Sequence, residues 1–457
     1  MTEKKDDIVI IGAGLTGLAL AYFLKQQGRN VLIIEKKGRT GGVIHSVTEN
    51  GFTYETGPST GVVGTLEIAE LFEELSGECK LEIAEESAQK RYILKNGKWH
   101  LLPAGLFSAI GTPLFSWYDK FRILGEPFRK AGTDPNESVG EMVKRRLGKS
   151  YLDYAVDPFI SGVYAGDPDR LITRFALPKL YNLEQKYGSF IKGSIKKAKE
   201  PKPYGAEKIS RKVFSIEGGL SNMIRALTDK VGDKHIRLNC SHTKVEPLET
   251  GYTVSFTNSA NETESIVTPC VVSTVGGYAL SEIFSFIPNK LILPIKKVRY
   301  ADVVQATVAF GTWNAPSLEG FGGLVPRIEN RSILGVLYPS VIFRNRAPKG
   351  GALLSVFMGG SRNPKMLQKR DDELYEIIIR EIRSTLGKQL TPDFIKIYRH
   401  KNAIAQYDDV SEEKMKAIGE IEQKYRGVYL AGSIRDGIGM ADRVKQAKYL
   451  ANLITQT

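Results

Sequence analysis

The sequence predicts an α/β (α+β multidomain) protein whose Rossmann-like domain is discontinuous and built from both ends of the chain. Residues 8–24, IVIIGAGLTGLALAYFL, combine an apolar strand, a glycine turn and a helix. Residues 429–444, YLAGSIRDGIGMADRV, repeat this order near the C-terminus. Between them, residues 211–285 and 298–360 are rich in short β patterns. We therefore expect the two ends to join one parallel sheet, with other lobes inserted between them.

Length, charge and cysteine content limit the class of protein. With 457 residues, of which 42% are hydrophobic and 25% charged, the chain fits an ordered globular protein with more than one lobe. The three cysteines are odd in number and form no CxxC pair, which favours a reducing cytoplasm. The N-terminus MTEKKDD has no apolar signal core, so we expect no export. The five histidines lack metal-ligand or triad spacing, so we expect no metal site.

Two stretches bear on binding partners. The net charge is +13, and residues 192–212 are rich in lysine, which favours anionic lipids or an acidic substrate. We read this stretch as an exposed loop, and because no aromatic-basic RNA motif is present we expect no nucleic acid partner. Residues 101–118, LLPAGLFSAIGTPLFSWY, carry no charge but are broken by proline and glycine. They predict a buried segment, the lining of an apolar cavity or a membrane-surface contact.

The first glycine turn has the spacing G-x-G-x-x-G, at Gly12, Gly14 and Gly17. One glycine makes the tight turn, one lets the backbone approach a pyrophosphate, and one lets the helix pack on the strand. The helix N-terminus then offers unpaired N–H groups to the anion. Gly28 closes the helix, and Glu35 ends the next strand, where a carboxylate suits a ribose 2′-hydroxyl. The segment predicts a dinucleotide site.

Three further elements are predicted from local patterns. Residues 137–147, ESVGEMVKRRL, predict a helix capped by Ser138. Residues 157–169, DPFISGVYAGDPD, read as a loop, and residues 372–387 carry helical periodicity.

The residues after the second strand indicate which dinucleotide binds. The run from Glu35 through Arg39 to Gly41 and Gly42 has the pattern E-x-x-x-R-x-G-G. It resembles the FAD oxidoreductases of the glutathione-reductase-like superfamily, particularly the amine oxidase and porphyrinogen oxidase branches. The resemblance implies an extended FAD, with Arg39 at the phosphates and the two glycines beside the path to the flavin.

The tail provides a second glycine turn at Gly432, Gly437 and Gly439, followed by a helix. Its amides and dipole suit the ribityl or phosphate oxygens and favour negative charge on the reduced flavin ring. Residues 51–62, GFTYETGPSTGV, resemble the G-F-x-x-E-x-G-P segment of the same branch.

The chain is identified as a member of the oxygen-dependent protoporphyrinogen oxidase family on motifs spread along nearly its whole length. These are residues 137–148, 157–171, 334–348 and 356–363 and the closing AG-x-x-x-x-G turn. The family resemblance implies a discontinuous FAD-binding domain, a β-rich substrate-binding domain and a helical membrane-associating domain. The bounds we expect are residues 1–80, 210–290 and 395–457 for the first, 81–95 and 291–394 for the second, and 96–209 for the third.

The activity implied by the resemblance is the six-electron oxidation of protoporphyrinogen IX to protoporphyrin IX, a late step of heme biosynthesis. FAD is reduced and then reoxidised by O2 over three cycles, which release three H2O2, as in oxidoreductases that act on CH–CH donors. Hydride loss from a bridge carbon leaves a cation delocalised over two pyrroles, so we expect positioning to dominate and no catalytic side chain. The expected partners are the porphyrinogen, O2, a membrane surface, a ferrochelatase-type downstream enzyme and a second copy in a homodimer. The expected location is cytoplasmic, with peripheral attachment to the inner face of the cell membrane.

Site residues follow from motif position. Arg91 matches a propionate partner, Leu324 and Leu337 sandwich one pyrrole, Phe357 stacks on another, and Gly162 approaches the macrocycle through its backbone. The cofactor contacts implied by the same matches are Gly12, Ala13, Gly14, Thr16, Gly17, Leu18, Glu35, Lys36, Arg39, Gly41, Gly42, Gly57, Pro58, Thr60, Val245 (in a strand beside the adenine), Thr274, Gly432, Gly437, Ile438 and Met440.

The sequence departs from the family at several positions. Ser433 stands where AGN is common, Asp436 and Ala441 replace frequent glycines, and Ser59 and Thr60 stand where animal members carry a basic residue. We therefore expect differences in flavin tuning and in a second carboxylate anchor. A coproporphyrinogen III oxidase forming coproporphyrin III is the nearest alternative, since its four-carboxylate substrate suits a basic protein. A flavin amine oxidase, a carotenoid desaturase and a non-catalytic porphyrin-binding flavoprotein are more distant alternatives.

Overall fold

The computed structural model describes residues 7–103, 106–201, 203–387 and 389–456. Residues 104 and 105 of the charge-free stretch and residue 202 of the lysine-rich stretch lie outside this range. The strands, numbered in chain order, are Ile8–Ile11 (β1), Val31–Ile34 (β2), Ser46–Glu49 (β3), Phe52–Glu55 (β4), Gly61–Val62 (β5), Leu81–Ile83 (β6), Arg91–Lys95 (β7), Lys98–Leu101 (β8), Val213–Ile216 (β9), Ile236–Arg237 (β10), Ser241–Pro247 (β11), Tyr252–Thr257 (β12), Thr263–Thr268 (β13), Cys270–Ser273 (β14), Tyr300–Phe310 (β15), Gly322–Leu324 (β16), Ile333–Leu337 (β17), Ala352–Gly359 (β18), Phe394–Ala405 (β19) and Val428–Leu430 (β20). The α-helices, numbered likewise, are Leu15–Gln26 (α1), Leu66–Glu74 (α2), Leu106–Gly111 (α3), Trp117–Leu124 (α4), Val139–Arg146 (α5), Lys149–Tyr151 (α6), Asp157–Tyr164 (α7), Thr173–Ala176 (α8), Pro178–Tyr187 (α9), Phe190–Ala198 (α10), Ser221–Val231 (α11), Leu280–Ile283 (α12), Asn289–Lys296 (α13), Pro339–Ile342 (α14), Asp371–Thr385 (α15), Ser411–Lys424 (α16) and Met440–Gln456 (α17).

A five-stranded parallel sheet joins the two ends of the chain, in the order β10-β2-β1-β14-β20. Ile8 pairs with Val31 on one side and with Cys270 on the other, and Val271 pairs with Val428. Strands β1, β2 and β14 are apolar runs buried along their whole length, as a sheet covered on both faces requires. Helices α1, α11 and α17 pack in the core on one face, and α13, α16 and the β11–β12 hairpin pack on the other. The predicted α/β fold with a discontinuous Rossmann-like sheet is confirmed.

A second, seven-stranded sheet has the order β19-β15-β18-β17-β16-β7-β8 and is antiparallel except between β16 and β7. Alternate residues of β15, including Val304, Ala306 and Val308, pack in a core that α15 completes. The opposite face meets the loop after β4, where the Gln305 side chain donates to the Glu55 carbonyl at 2.8 Å. This sheet extends past the predicted bounds at residues 95 and 394, because β8 and β19 belong to it, and the division into domains otherwise stays a prediction.

Helices α3–α10 form the third part of the protein, and here two local predictions need correction. Residues 157–164 form helix α7 rather than a loop. Pro158 follows directly after a π-helical turn, an irregularity of the kind found where a proline interrupts the helical hydrogen bonds, and Ala165 ends the helix in the left-handed conformation. A π-helical turn, Leu152–Val156, joins α6 to α7. The lysine-rich stretch begins as helix α10, since the Ser189 hydroxyl accepts from the Lys192 amide and caps the helix. The predicted cap at Ser138 is confirmed.

The charge-free stretch divides between core and surface. Leu114 and Phe115 are buried, and the Phe115 ring stacks on Tyr151 with centroids 4.1 Å apart. Trp117 and Tyr118, which follow directly, are exposed. In the described part of the chain, none of the helices combines the length and apolar character that crossing a bilayer demands.

A fully buried ion pair holds the helical part together. The Glu126 carboxylate accepts from Arg146, from the Ser189 hydroxyl at 2.6 Å and from the Phe190 amide at 2.9 Å. Burial by itself raises the pKa of Glu126, but these hydrogen bonds outweigh burial and leave the pKa below its ordinary value. The carboxylate therefore caps the N-terminus of α10 while it neutralises Arg146.

We expect Glu126→Gln to lower the free energy of unfolding at neutral pH by about 2–3 kcal/mol, because Arg146 loses the closer of its two buried carboxylate partners and keeps Glu184 at 3.3 Å. A depressed carboxyl pKa contributes stability above the unfolded-state value and loses it as the pH falls through the folded-state value. The difference between variant and parent should therefore shrink toward pH ~4. Urea unfolding at both pH values measures it. Glu200→Gln, which removes an exposed ion pair with Lys186, should leave stability unchanged.

Candidate active site

The first glycine turn is built so that one of its glycines faces open space. A Cβ on Gly17 would lie 2.0 Å from the Gly12 carbonyl oxygen, and one on Gly12 would lie 2.6 Å from the Thr274 hydroxyl. Gly12 also has φ +108°, and Thr274 donates to its carbonyl at 3.1 Å. At Gly14, the N-cap of α1, a Cβ would meet nothing within 4 Å. The turn thus leaves a cradle in front of the α1 N-terminus, where an anion gains from free amides and the helix dipole.

The second glycine segment closes over the first. The Gly41 amide donates to the Ala13 carbonyl at 2.8 Å, and Gly41 forms a parallel bridge with Gly14. A Cβ on Gly42 would lie 3.2 Å from the Gly14 Cα, and both Gly41 and Gly42 have positive φ. Glycine is needed here because two backbone segments pass at contact distance.

Glu35 is buried at the carboxyl end of β2. Its carboxylate accepts from the amides of Ala13 at 2.7 Å and Lys37 at 2.8 Å. This places the acid beside the first glycine turn, at the position expected for a ribose contact. Lys36 is exposed. Val245 is fully buried in the core cluster that contains Ile34, the residue before Glu35.

Arg39 organises the loop that follows. Its guanidinium donates to the carbonyls of Gly42 at 2.9 Å, Thr40 at 3.1 Å and Ile44 at 3.2 Å. Burial lowers its pKa, and the charge of Glu35 opposes this effect. These bonds fix the Gly41–Gly42 segment, while the contact of Arg39 with FAD phosphates stays a prediction.

The tail segment meets the first turn through Thr274. Gly432 has φ +85°, and a Cβ there would lie 2.5 Å from the Thr274 carbonyl oxygen. The start of α17 reaches the segment that follows Gly57, because the Met440 Cε would lie 3.1 Å from a Cβ on Gly61. All three predicted glycine segments therefore converge at the carboxyl edge of the parallel sheet.

The remaining predicted cofactor residues differ in how they face this edge. Gly57 is buried, with its Cβ direction blocked by the Val43 carbonyl, and Pro58 and Thr60 are partly exposed. Gly437 has φ +65°, and Ile438 is partly exposed. The side chains of Thr16 and Leu18 are buried on α1, and the Leu18 amide donates to the Gly14 carbonyl at 3.0 Å, so the contacts of these two residues with FAD stay predictions.

The residues at this edge fit an extended dinucleotide. An open cradle at a helix N-terminus, an acid at the end of the second strand and a second helix N-terminus follow in the order that FAD requires. The buried Ser59 hydroxyl, next to Pro58, has no hydrogen-bond partner among the described residues, which leaves a polar group for a ligand. FAD, when bound, supplies the hydride-accepting chemistry.

Four of the five predicted substrate residues share one face of the seven-stranded sheet, and we call it the substrate face. In register, Arg91 lies beside Gly322, Leu324 beside Gly335, Leu337 beside Gly322, and Phe357 beside Gly335. Cross-strand neighbours project to the same side, so these side chains form one surface. Arg91 is exposed at its margin, with its guanidinium 5.5 Å from the centroid of the Phe321 ring.

The fifth, Gly162, lies on α7 against this face. A Cβ on Gly162 would come within 2.5 Å of the Leu324 Cδ2. Phe159, Gly162 and Val163 have the i, i+3, i+4 spacing of one helix face. Phe159 and Val163 are 39% and 43% exposed, so α7 presents an apolar strip to solvent. These two residues were missed because the segment was read as a loop, although the i, i+3, i+4 spacing of a helix would have identified them.

The substrate face and the glycine edge meet at Thr56, the residue before Gly57. The Thr56 carbonyl lies 2.7 Å from the His400 Nε2, and His400 pairs in register with Val303 on the substrate face. Burial lowers the pKa of His400, so its ring is neutral at physiological pH and donates this bond. The histidine therefore joins the two surfaces through this hydrogen bond.

Comparison with known proteins agrees with this arrangement. The family model for flavin containing amine oxidoreductase matches residues 15–451. The mitochondrial protoporphyrinogen oxidase of Nicotiana tabacum is 30% identical, over 98% of this chain and 94% of that protein. The coproporphyrinogen III oxidase of Bacillus subtilis (strain 168) is 24% identical, over 98% and 97% of the two chains.

Among solved structures, the candidate protoporphyrinogen oxidase of Exiguobacterium sp. 255-15 superposes with a TM-score of 0.82 at 23% identity and covers 100% of both chains, which establishes a shared fold. The family match covers most of the chain. The three glycine segments of this chain converge at the carboxyl edge of the parallel sheet, where an extended FAD would lie. The chain therefore belongs to the flavin-containing amine oxidoreductase family, is a flavoprotein that binds FAD, and falls within the protoporphyrinogen oxidase branch.

Proposed function

We propose that the protein oxidises protoporphyrinogen IX to protoporphyrin IX in three FAD-dependent cycles with O2 as the acceptor. Over the three cycles three hydrogens leave as hydride from bridge carbons and three leave as protons. After tautomerisation the four bridge carbons have lost one hydrogen each and the pyrrole nitrogens have lost two in all. FAD, when bound, would supply the hydride acceptor, and O2 would be the final oxidant and leave as H2O2. The residues of this chain would hold the macrocycle against the flavin edge and exclude water.

One observation carries this proposal. The substrate face, with Leu324, Leu337 and Phe357, packs directly on the segment before Gly57, and α7 covers it from the side. Such an apolar slot suits a flat tetrapyrrole, since aromatic and branched side chains bind the rings and leave the carboxylates at the margin. Arg91, at that margin, is placed to pair with a propionate. Because loss of hydride leaves a cation delocalised over two pyrroles, the reaction needs no strong base and is consistent with catalysis by positioning.

Coproporphyrinogen III is the second candidate substrate, because relatives of both activities match this chain along nearly its full length. The purified, FAD-loaded protein is offered each porphyrinogen in air, and porphyrin fluorescence and O2 uptake are followed together. The proposal predicts a higher kcat/KM for protoporphyrinogen IX and three O2 consumed per porphyrin. A preference for coproporphyrinogen III would contradict the substrate assignment, and turnover of amines without either porphyrinogen would contradict the reaction.

We further infer that the helical part rests on an anionic membrane surface. Trp117, Phe121, Leu124 and Phe128 form an exposed apolar face on and after α4, with Phe128 84% exposed. The ammonium groups of Lys120 and Lys192 lie 4.7 Å and 5.2 Å from the ring centroids of Trp117 and Phe128. An exposed aromatic face ringed by lysines is the surface that inserts at the headgroup level of anionic lipid.

The double variant Trp117→Ser with Phe121→Ser should weaken partition onto vesicles of phosphatidylglycerol and phosphatidylcholine by about tenfold or more. The reason is the loss of two aromatic side chains that would be buried in the lipid on binding. Sedimentation with vesicles measures this partition. Tyr449→Ser, which removes an exposed aromatic from α17, is the matched control and should partition like the parent. Equal partition of the double variant and the parent would contradict the assignment of this face.

A further inference from the structure

A cluster of buried charged and polar side chains lies behind the tail glycine turn, on three separate elements. Arg443 belongs to the first turns of α17, Lys414 to α16, and Tyr407 to the segment between β19 and α16. Their exposed fractions are 9%, 2% and 8%. Arg443 donates through Nη2 to the carbonyl of Gly437 at 2.8 Å, so it directly holds a residue predicted to contact FAD.

Most hydrogen-bonding capacity of this cluster is unused. Within the described parts of the chain, Nε and Nη1 of Arg443 and the hydroxyl of Tyr407 are buried and have no hydrogen-bond partner. The Lys414 ammonium lies 5.5 Å from the centroid of the Tyr407 ring. A buried donor without an acceptor lowers the stability of the folded protein. A cluster of such donors therefore needs an explanation other than stability, such as a role in binding.

Among the described residues, neither cation has a buried carboxylate within ion-pair distance. The Asp408 carboxylate is buried and lies 3.3 Å from Arg299, which also lies 3.6 Å from the Asp409 carboxylate. Asp436 is exposed and lies 4.0 Å from the Arg443 guanidinium, and it accepts a hydrogen bond from Gln446. Asp442 is exposed and caps the Gly439 amide at 3.1 Å. Burial lowers the pKa of Lys414 to about 8 and lowers that of Arg443, as expected for cations that lack a buried partner.

We propose that Arg443, supported by Lys414, is an electrostatic positioning residue that stabilises the negative charge of the reduced flavin. The proposal rests on the proposed function for the placement of the flavin beside the turn at Gly437, Ile438 and Met440. The helix α17 already directs its positive end at this turn, and a buried guanidinium adds a full charge in a medium of low dielectric constant. An anionic ring restores to the cluster the negative charge that it lacks, whereas the neutral oxidised ring does not.

The test uses the FAD-loaded protein and two readouts that do not depend on turnover. Sulfite adds to oxidised flavin and leaves a negative charge on the ring, so its Kd reports how well the site stabilises that charge. Arg443→Met should raise the sulfite Kd by roughly tenfold to hundredfold. The two-electron midpoint potential of the bound flavin should become more negative by about 30 mV for each tenfold rise in the sulfite Kd. Lys414→Met should shift both quantities in the same direction by less, and Arg443→Lys should retain most of the parent behaviour.

Lys445→Met, which removes an exposed charge from the same helix, is the control and should leave both readouts unchanged. A purely structural clamp predicts another outcome, in which Arg443→Met lowers FAD affinity and thermal stability but keeps the parent sulfite Kd and potential. That result, whether seen with Arg443→Met or with Lys414→Met, would overturn the proposal. A parent protein that takes up no FAD would overturn the proposed function as well, so the two failures are distinguishable.

Discussion

Gly14→Leu is expected to fold normally but to lose FAD. A Cβ at this position would meet nothing within 4 Å, and the backbone conformation is ordinary. The unliganded fold should therefore accept a side chain that extends into the cradle. The new side chain would occupy the cradle in front of α1 and exclude the phosphates from the helix N-terminus. We expect FAD affinity to fall by about a thousandfold or more, equivalent to about 4 kcal/mol. Flavin absorbance per protein after gel filtration and a titration with FAD measure the loss.

The matched control is Gly77→Leu. Gly77 is an exposed glycine, and a Cβ there, like a Cβ on Gly14, would meet nothing within 4 Å. This variant should retain the full complement of FAD. Gly17→Ala provides a contrast, since its Cβ would lie 2.0 Å from the Gly12 carbonyl and should destabilise the turn itself. If Gly14→Leu bound FAD as the parent does, the cradle would not be the pyrophosphate site.

Gly162→Leu is expected to abolish porphyrinogen oxidation while the protein keeps its FAD. A Cβ at this position already comes within 2.5 Å of Leu324, so a leucine would push the Leu324 side chain out of its place on the substrate face. Glycine within a helix costs about 1 kcal/mol relative to alanine, so helix propensity itself does not explain Gly162. We expect flavin reduction by porphyrinogen to slow by about a hundredfold or more, since misplacement by ~1 Å is enough for that loss. Anaerobic rapid mixing measures the rate.

Two controls separate a blocked slot from a damaged protein. Reduction by dithionite and reoxidation by O2 should proceed as in the parent, because neither needs the slot. A Gly162→Leu protein that oxidised porphyrinogen at the parent rate would contradict the placement of the slot.

The parallel sheet and its glycine turns could be predicted because each is specified over a short stretch of sequence. An apolar run such as β1, a turn at Gly12 and a helix follow one another within twenty residues, and Glu35 ends the next strand. The physical requirement for glycine at Gly17 and Gly41 is local too, since both lie at contacts between backbone segments. Local patterns of this kind predict the same strand, turn and helix whatever the rest of the chain does.

Helix α7 and strand β19 could not be placed in this way. Pro158 and Gly162 favour a turn when read alone, and only packing of α7 on β16 makes the helical alternative the stable one. Strand β19 lies at the edge of the second sheet by pairing with β15, almost a hundred residues away in sequence, which no local pattern reports. The cluster of Tyr407, Lys414 and Arg443 depends likewise on three elements that only the fold brings together.

The geometry also explains why one site draws on distant parts of the chain. The glycine edge comes from both termini, and the substrate face comes from the middle of the sequence together with β7. They join where the loop after β4 contacts Gln305 and His400, so movement of one part relative to the other would break hydrogen bonds to the Glu55 and Thr56 carbonyls. The fold thereby holds the glycine edge and the substrate face in a fixed relation, which the proposed transfer of hydride by positioning would require.

The most direct measurement is anaerobic mixing of the purified yellow protein with protoporphyrinogen IX, followed by visible absorbance and then by admission of air. We predict that the flavin bleaches within the mixing experiment, that colour returns with O2, and that porphyrin emission rises with each cycle. Flavin that stayed oxidised in the presence of the porphyrinogen, in a protein that dithionite reduces normally, would contradict the claim that a tetrapyrrole slot faces the cofactor.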